Sequence, residues 1–356
     1  MSTLSKKDTT QMRGVAISFI VLHNLIHLVC PVKENEYVFD ISNSQAFITN
    51  LCEMNLSFWK DIFSFLGWYG ITIFLFISGY GLVCKYENGG ATDDISSFAF
   101  IKKHISKLFC LMLIPYLLYI LCKFLLSGTL KSFFGIFMQL SMLSNIMPRL
   151  IDPGVYWYFG LMAQFYMFYR IFIYSKKDTA IIIWNIISLV LMITFINIPN
   201  NTIMSDYVSN FPARCLSVSR HNFIGWILPF TLGVIYARHN LSITFSKQWI
   251  NVLSVVVCVA LLIISNLNVY AWLLSPVLSI LCAIYFCRIC NQVPLVNNVF
   301  TYLGGISAFL FAVHPVIRYI YSHLTGSLNI FTVSVYFVVC VVVAICYKYL
   351  HKKLFA

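Results

Sequence analysis

Ten times along its 356 residues this chain runs apolar for close to the length that crosses a bilayer. The runs lie at about residues 13–31, 62–84, 108–126, 155–174, 180–198, 222–238, 249–266, 270–289, 301–321 and 330–350. Hydrocarbon about 30 Å thick takes about 20 helical residues to cross, and it holds no water to satisfy a peptide group. Continuous apolar runs of that length fit helices, not the alternating shorter segments of a membrane barrel. The expected fold is therefore an all-α integral membrane protein, a bundle of about ten transmembrane helices with both termini on one side. No internal repeat or boundary interrupts it, so 1–356 reads as one transmembrane domain with no appended soluble domain.

With 60% hydrophobic and only 10% charged residues, the composition excludes an ordinary soluble domain. The net charge of +12 does not point to nucleic acid, because the basic residues are spread over short loops between the runs. Placing the N-terminus in the cytoplasm puts Lys6, Lys7, Lys102, Lys103, Lys107, Lys176, Lys177, Lys352 and Lys353 on the inner side, as the positive-inside rule requires. All twelve carboxylates fall outside the span cores. That counts against a proton-coupled transporter or cation channel built on intramembrane acids.

The first run, Arg13 to Pro31, is the most informative. At about 100° per residue, Asn24 lies about 20° around the helix from Arg13, His27 about 40° the other way and His23 about 80° off. Polar groups thus gather on one side. Each costs roughly 2–3 kcal/mol or more in lipid, so they are expected to face a cavity and to be functional. His314, in the ninth run, reaches a similar depth, and Arg318 follows one turn further out.

Other features are weaker. Ser78-Gly79-Tyr80 ends the second run at the depth of Arg13, where small residues allow close approach of a ligand or simply of another helix. Lys103, His104 and Lys107 crowd the start of the third, either anchoring it to lipid headgroups or receiving the phosphates of a nucleotide-bearing donor. Trp157 and Tyr158 read as an interfacial belt or as a platform for a sugar. The segment from Val32 to Asp61 holds five carboxylates and is expected to fold as a flap on the membrane, capping a cavity or merely connecting spans. Arg214, Arg220 and His221 form a basic outer set suited to an anionic acceptor. Cys30, Cys52 and Cys215 lie near the outer face and could pair; Cys287 and Cys290 read as packing, and no metal site is expected.

An imidazole is the natural base for removing a proton from an alcohol at neutral pH, and an arginine suits a phosphate-bearing donor. Together they suggest transfer of an acyl group from a cytoplasmic coenzyme A thioester to a hydroxyl. The competing class is a transporter or flippase passing a lipid-linked sugar; a glycan polymerase is a weaker third.

RGVAISFIVLHN, FLFISGYGL, FIKKHISKLF, VYWYFGL and ISAFLFAVHPVIR together resemble the acyltransferase-3 family of ten-span membrane acyltransferases, over essentially the whole chain. The resemblance implies O-acylation, usually O-acetylation, of a lipid-linked or surface glycan in a bacterial inner membrane. Acetyl-CoA would be the donor, membrane lipid a partner, and no cofactor would be bound permanently. Arg13 falls on the family arginine, Ser78-Gly79-Tyr80 on its S-G-aromatic motif, His104 and Lys107 on its basic pair, and His314 in its late histidine motif. After Arg13 and ten intervening residues, where the family carries histidine, this chain has Asn24. The expected base is therefore His23 or His27, with Asn24 as an orienting partner and Trp157, Tyr158, His314 and Arg318 placing the acceptor.

Overall fold

The computed structural model describes residues 4–53, 56–88, 95–198, 211–325 and 328–355. Among these residues every regular element is helical. The helices are α1 (Lys6–Ile26), α2 (Ile41–Glu53), α3 (Phe58–Leu66), α4 (Gly70–Tyr86), α5 (Ser97–Ser127), α6 (Phe133–Leu140), α7 (Trp157–Phe168) and α8 (Asp178–Asn197). They continue with α9 (Phe211–His221), α10 (Ile227–Arg238), α11 (Gln248–Ser265), α12 (Val269–Cys290), α13 (Pro294–Leu324) and α14 (Ile330–Phe355).

Seven helical stretches among the described residues are long and apolar enough to cross a membrane: Phe58–Tyr86, which joins α3 to α4, then α5, α8, α11, α12, α13 and α14. The three other expected spans are helical but shorter or more polar. α1 carries a charged first turn, α7 passes into a π-helical turn at Tyr169–Ile173, and α10 extends only over Phe223–Arg238 with its preceding 3-10 turn.

α1 starts where the sequence tells it to. Ser5 caps it, its hydroxyl accepting from the Asp8 amide at 3.1 Å while the Asp8 carboxylate accepts from the Ser5 amide at 2.9 Å. Two reciprocal glycine contacts then fix the interior. A Cβ on Gly14 of α1 would stand 1.9 Å from the Phe300 carbonyl oxygen of α13, and one on Gly304 of α13 would stand 1.8 Å from the Thr10 carbonyl oxygen of α1. The same device joins α4 to α10, where Gly79 faces the Phe230 carbonyl at 2.1 Å and Gly233 faces that of Phe76 at 1.9 Å. Backbones pack this closely in membranes only where the side chain is missing.

These four helices make the interior. The most apolar windows of Phe58–Tyr86 and α13 are 72% and 67% buried, against 17% for α8 and 22% for α5 and α11, which face outward. The segment after α1 is a folded flap, as expected. Ser44 donates to the Asn266 carbonyl at 2.6 Å, the Trp272 indole to the Asn35 carbonyl at 2.7 Å and Arg220 Nε to the Glu36 carbonyl at 2.8 Å. The pairing considered among Cys30, Cys52 and Cys215 is not found. All twelve cysteines are free, and the Cys30 thiol donates to Asp61 at 3.0 Å.

Candidate functional site

α1 is the wall shared by two chambers. The first, about 710 Å³, opens beside Arg13 and is lined by Ser78, Tyr80 and Lys85 from α4, His104 from α5 and Tyr166 from α7. Arg13 Nε donates to the Thr9 carbonyl at 3.3 Å, leaving the rest of its guanidinium toward the cavity. His104 stacks near Tyr166, ring centroids 4.3 Å apart, and its Nε2 lies 3.0 Å from the Tyr86 hydroxyl. Four expected residues from three separate helices thus meet: Arg13, Ser78, Tyr80 and His104.

Gly79 does not join them. Its missing side chain serves the α4–α10 contact, where it faces the Phe230 carbonyl. Lys103 and Lys107 are also outside the wall; both are exposed on α5.

The second chamber, about 290 Å³, lies three turns further along α1 and is lined by His23, Asn24, His27, Glu34, Glu36, His221 and Arg318. A carbonyl can only accept, so the 3.1 Å contact to Phe63 O puts the His23 proton on Nδ1 and leaves the Nε2 lone pair free. The His27 ring stands 4.9 Å from that of His23, with its Nδ1 buried and without a hydrogen-bond partner. Arg318 Nη1 donates to both the carbonyl and the side-chain oxygen of Asn24, at 3.2 and 3.3 Å.

A constriction of about 20 Å³, lined by His23, Asn24, Ile71, Tyr158 and Phe311, separates the chambers. Tyr158 spans it: its ring meets Phe311 at 5.0 Å and Phe74, a wall of the first chamber, at 6.3 Å. From Arg13 to His23 is ten residues, or about 15 Å along the axis.

Two expected acceptor-placing residues stand elsewhere. His314 is fully buried, lines none of these three spaces, and holds the Leu310 carbonyl through Nδ1 at 3.2 Å. Its ring packs against Phe311, centroids 5.6 Å apart. Trp157 is not at an open mouth either: it is 2% exposed and stacks on Trp226 at 5.7 Å, touching only the constriction.

The carboxylates were missed as site residues. Glu34 and Glu36 come from the flap, which folds back over the end of α1, and Tyr37 beside them stacks on His221 at 4.1 Å with 7° between the planes. The visible signal was proximity: Glu34 follows His27 by seven residues, with Pro31 between them. Burial, with Glu34 close by, pushes the Glu36 carboxyl up to about 8, against the opposing Tyr37 hydrogen bond and Arg220 charge. Burial also pushes His221 down to about 4, helped by Arg220 and opposed by the Ser217 carbonyl.

Arg220 and His221 of the basic outer set turn inward, while Arg214 is exposed. Arg220 is 3% exposed, with its guanidinium carbon 4.0 Å from the Trp226 ring, 4.9 Å from Trp272 and 5.5 Å from Trp68. It is a fastening of the flap rather than a surface charge.

No curated protein and no solved structure gives a significant match. Residues 9–349 match the profile of the acyltransferase-3 family, described as an acyltransferase domain. That match covers α1 through α14 and so contains both chambers and the wall between them. With Arg13, Ser78 and Tyr80 facing one cavity and the two α1 imidazoles the other, this membrane chain belongs to the acyltransferase-3 family.

Proposed function

We propose that the protein is a membrane-bound O-acyltransferase, in the first instance an O-acetyltransferase. It would carry the acyl group of a cytoplasmic acyl-CoA to a sugar hydroxyl of a lipid-linked or surface glycan. The observation that supports this most is the pair of chambers back to back along α1, one basic and one holding imidazoles, with Tyr158 between. The basic chamber suits the phosphates of coenzyme A, and its pantetheine arm is an extended chain able to follow α1 past Tyr158. The acceptor hydroxyl would enter the second chamber, where the free Nε2 of His23 or the ring of His27 takes its proton. The oxygen then attacks the thioester carbonyl, the C–S bond breaks, and the thiolate leaves with a proton. Arg318, held by Asn24, is placed to position the acceptor.

On this reading the chain lies in a bacterial inner membrane as one ten-span unit, both termini cytoplasmic, without nucleic acid. The flippase alternative drew on Arg214, Arg220 and His221 as a basic surface; Arg220 and His221 are instead engaged inside the fold. The test is mass spectrometry of surface glycan from cells with and without the chain, followed by transfer from acetyl-CoA in proteoliposomes. Donor-dependent acylation that disappears in His23→Ala/His27→Ala is expected. An unchanged acceptor mass, or full activity in the double variant, overturns the proposal.

A further inference from the structure

Three polar side chains, His23 buried and His27 and Glu34 half-buried, converge in the second chamber without mutual hydrogen bonds that would explain them. His23 and His27 are spaced i, i+4 on α1, which places both imidazoles on one face, the spacing by which a helix offers two nitrogens to one metal ion. Glu34 returns from the flap, and ligand atoms of the three residues lie within 4.8 Å of one another. His27 Nδ1 and Glu34 Oε2 are buried and have no partner among the described residues. Such orphaned atoms in one place call for an occupant.

We propose that His23, His27 and Glu34 bind a divalent cation, with zinc the best match. Two imidazoles and one carboxylate are the donor set of open zinc sites, which keep a fourth position for water or substrate. The Phe63 carbonyl does for His23 what a metal-bound histidine needs, holding Nδ1–H and aiming the Nε2 lone pair at the site. With bonds of about 2.1 Å, a tetrahedral site brings ligand atoms to about 3.4 Å, so rotation of the His27 and Glu34 side chains closes the remaining gap. The carboxylate of Glu34 offsets the charge that Arg318 adds to the same space. The chamber supplies room for the open position.

Binding stands on this geometry alone; its consequence rests on the acyl-transfer reading. A coordinated acceptor hydroxyl ionises more readily, its proton leaving to water in the chamber, so the imidazoles act by holding the cation instead of as bases.

The test uses the full chain in detergent micelles, stripped with a chelator and reloaded with zinc or cobalt(II) alone. Elemental analysis is expected to return about one zinc per chain. Cobalt should give visible d–d bands without thiolate charge-transfer bands. His27→Gln and Glu34→Gln should lose both signals while keeping wild-type helicity and melting, and Glu34→Asp, which keeps a carboxylate, should retain weakened binding. A chain that holds no metal, retention in both variants, or cobalt bands of cysteine ligation overturns the site. Should the variants fail to fold, the wild-type cobalt spectrum decides alone. Full acyl transfer by the stripped protein would remove the cation from the reaction and leave acyl transfer intact. A loaded site in a chain with no transferase activity would do the reverse.

Discussion

Arg318 of α13 donates twice to Asn24 of α1, to the backbone oxygen at 3.2 Å and to the side-chain oxygen at 3.3 Å, across the helix pair that Gly14 and Gly304 bring into contact. Asn24 in turn donates through Nδ2 to the Ile20 carbonyl at 2.8 Å, so its amide has one settled orientation. Where the resemblance leads one to expect histidine, this chain has a residue that holds an arginine.

Asn24→Ala therefore frees Arg318 from one of its two acceptors. A hydrogen bond to a charged group contributes about 1.5–3 kcal/mol, and each 1.4 kcal/mol is about tenfold in rate. Acyl-transfer kcat/KM should fall about tenfold or more in Asn24→Ala and in Arg318→Gln, and the double variant should lose less than the sum. Strict additivity in that cycle would show that the pair does not act as one unit.

The first helix was largely legible. Its polar face and its sharing of a depth with the ninth run follow from Arg13, Asn24 and the histidines, because helical spacing alone decides which residues share a face. What could not be read was which face of the other elements turns inward. His314 has the expected depth yet is closed in against Phe311, while Glu34 has no periodicity at all and reaches the site because the flap folds back. Arg220 reads as a surface charge until three indoles, from the turn before α10, from α12 and from the turn after α3, surround it. Depth is a one-dimensional property of sequence; azimuth and loop return are set by tertiary packing.

The close passage of α1 and α13 can be tested on adjacent glycines. A Cβ on Gly304 would stand 1.8 Å from a backbone oxygen, which cannot move aside as a side chain could, whereas Gly305 has nothing within 4 Å. Gly304→Ala should destabilise the protein by about 1–3 kcal/mol or more through forced separation of the helices. Gly305→Ala should be neutral or stabilise by up to about 1 kcal/mol, since alanine is the better helix former. Thermal melting of the two variants in detergent checks the contrast, and equal effects would mean that the helices do not meet at this point.

Arg220 holds the flap through its fork as well as its charge. Nε donates to the Glu36 carbonyl and Nη1 to the Gly225 carbonyl at 3.2 Å, while the plane lies against Trp226. Lysine keeps the charge but has neither the fork nor the flat face. Arg220→Lys should therefore lower the melting temperature nearly as much as Arg220→Met, and it should speed proteolysis within the segment from Val32 to Glu53. A lysine variant with wild-type protection would reduce the cage to simple charge.

His221 gives the protein an acid limit whose sign follows from its burial. Its folded-state value is depressed to about 4 from an ordinary value near 6.5. The native state thus binds fewer protons than the unfolded chain between those values. The stability associated with a neutral His221 is complete above about pH 6.5 and drains away as the pH falls through about 4. Protonation would place a second cation beside Arg220 and under the Tyr37 ring, which lies 4.1 Å away. His221→Phe preserves that stack and removes the titration. The difference in melting temperature between variant and parent should then be flat above neutrality and should grow in favour of the variant from about pH 6.5 down to 4. A difference that stays constant across the range would place the acid sensitivity on another group.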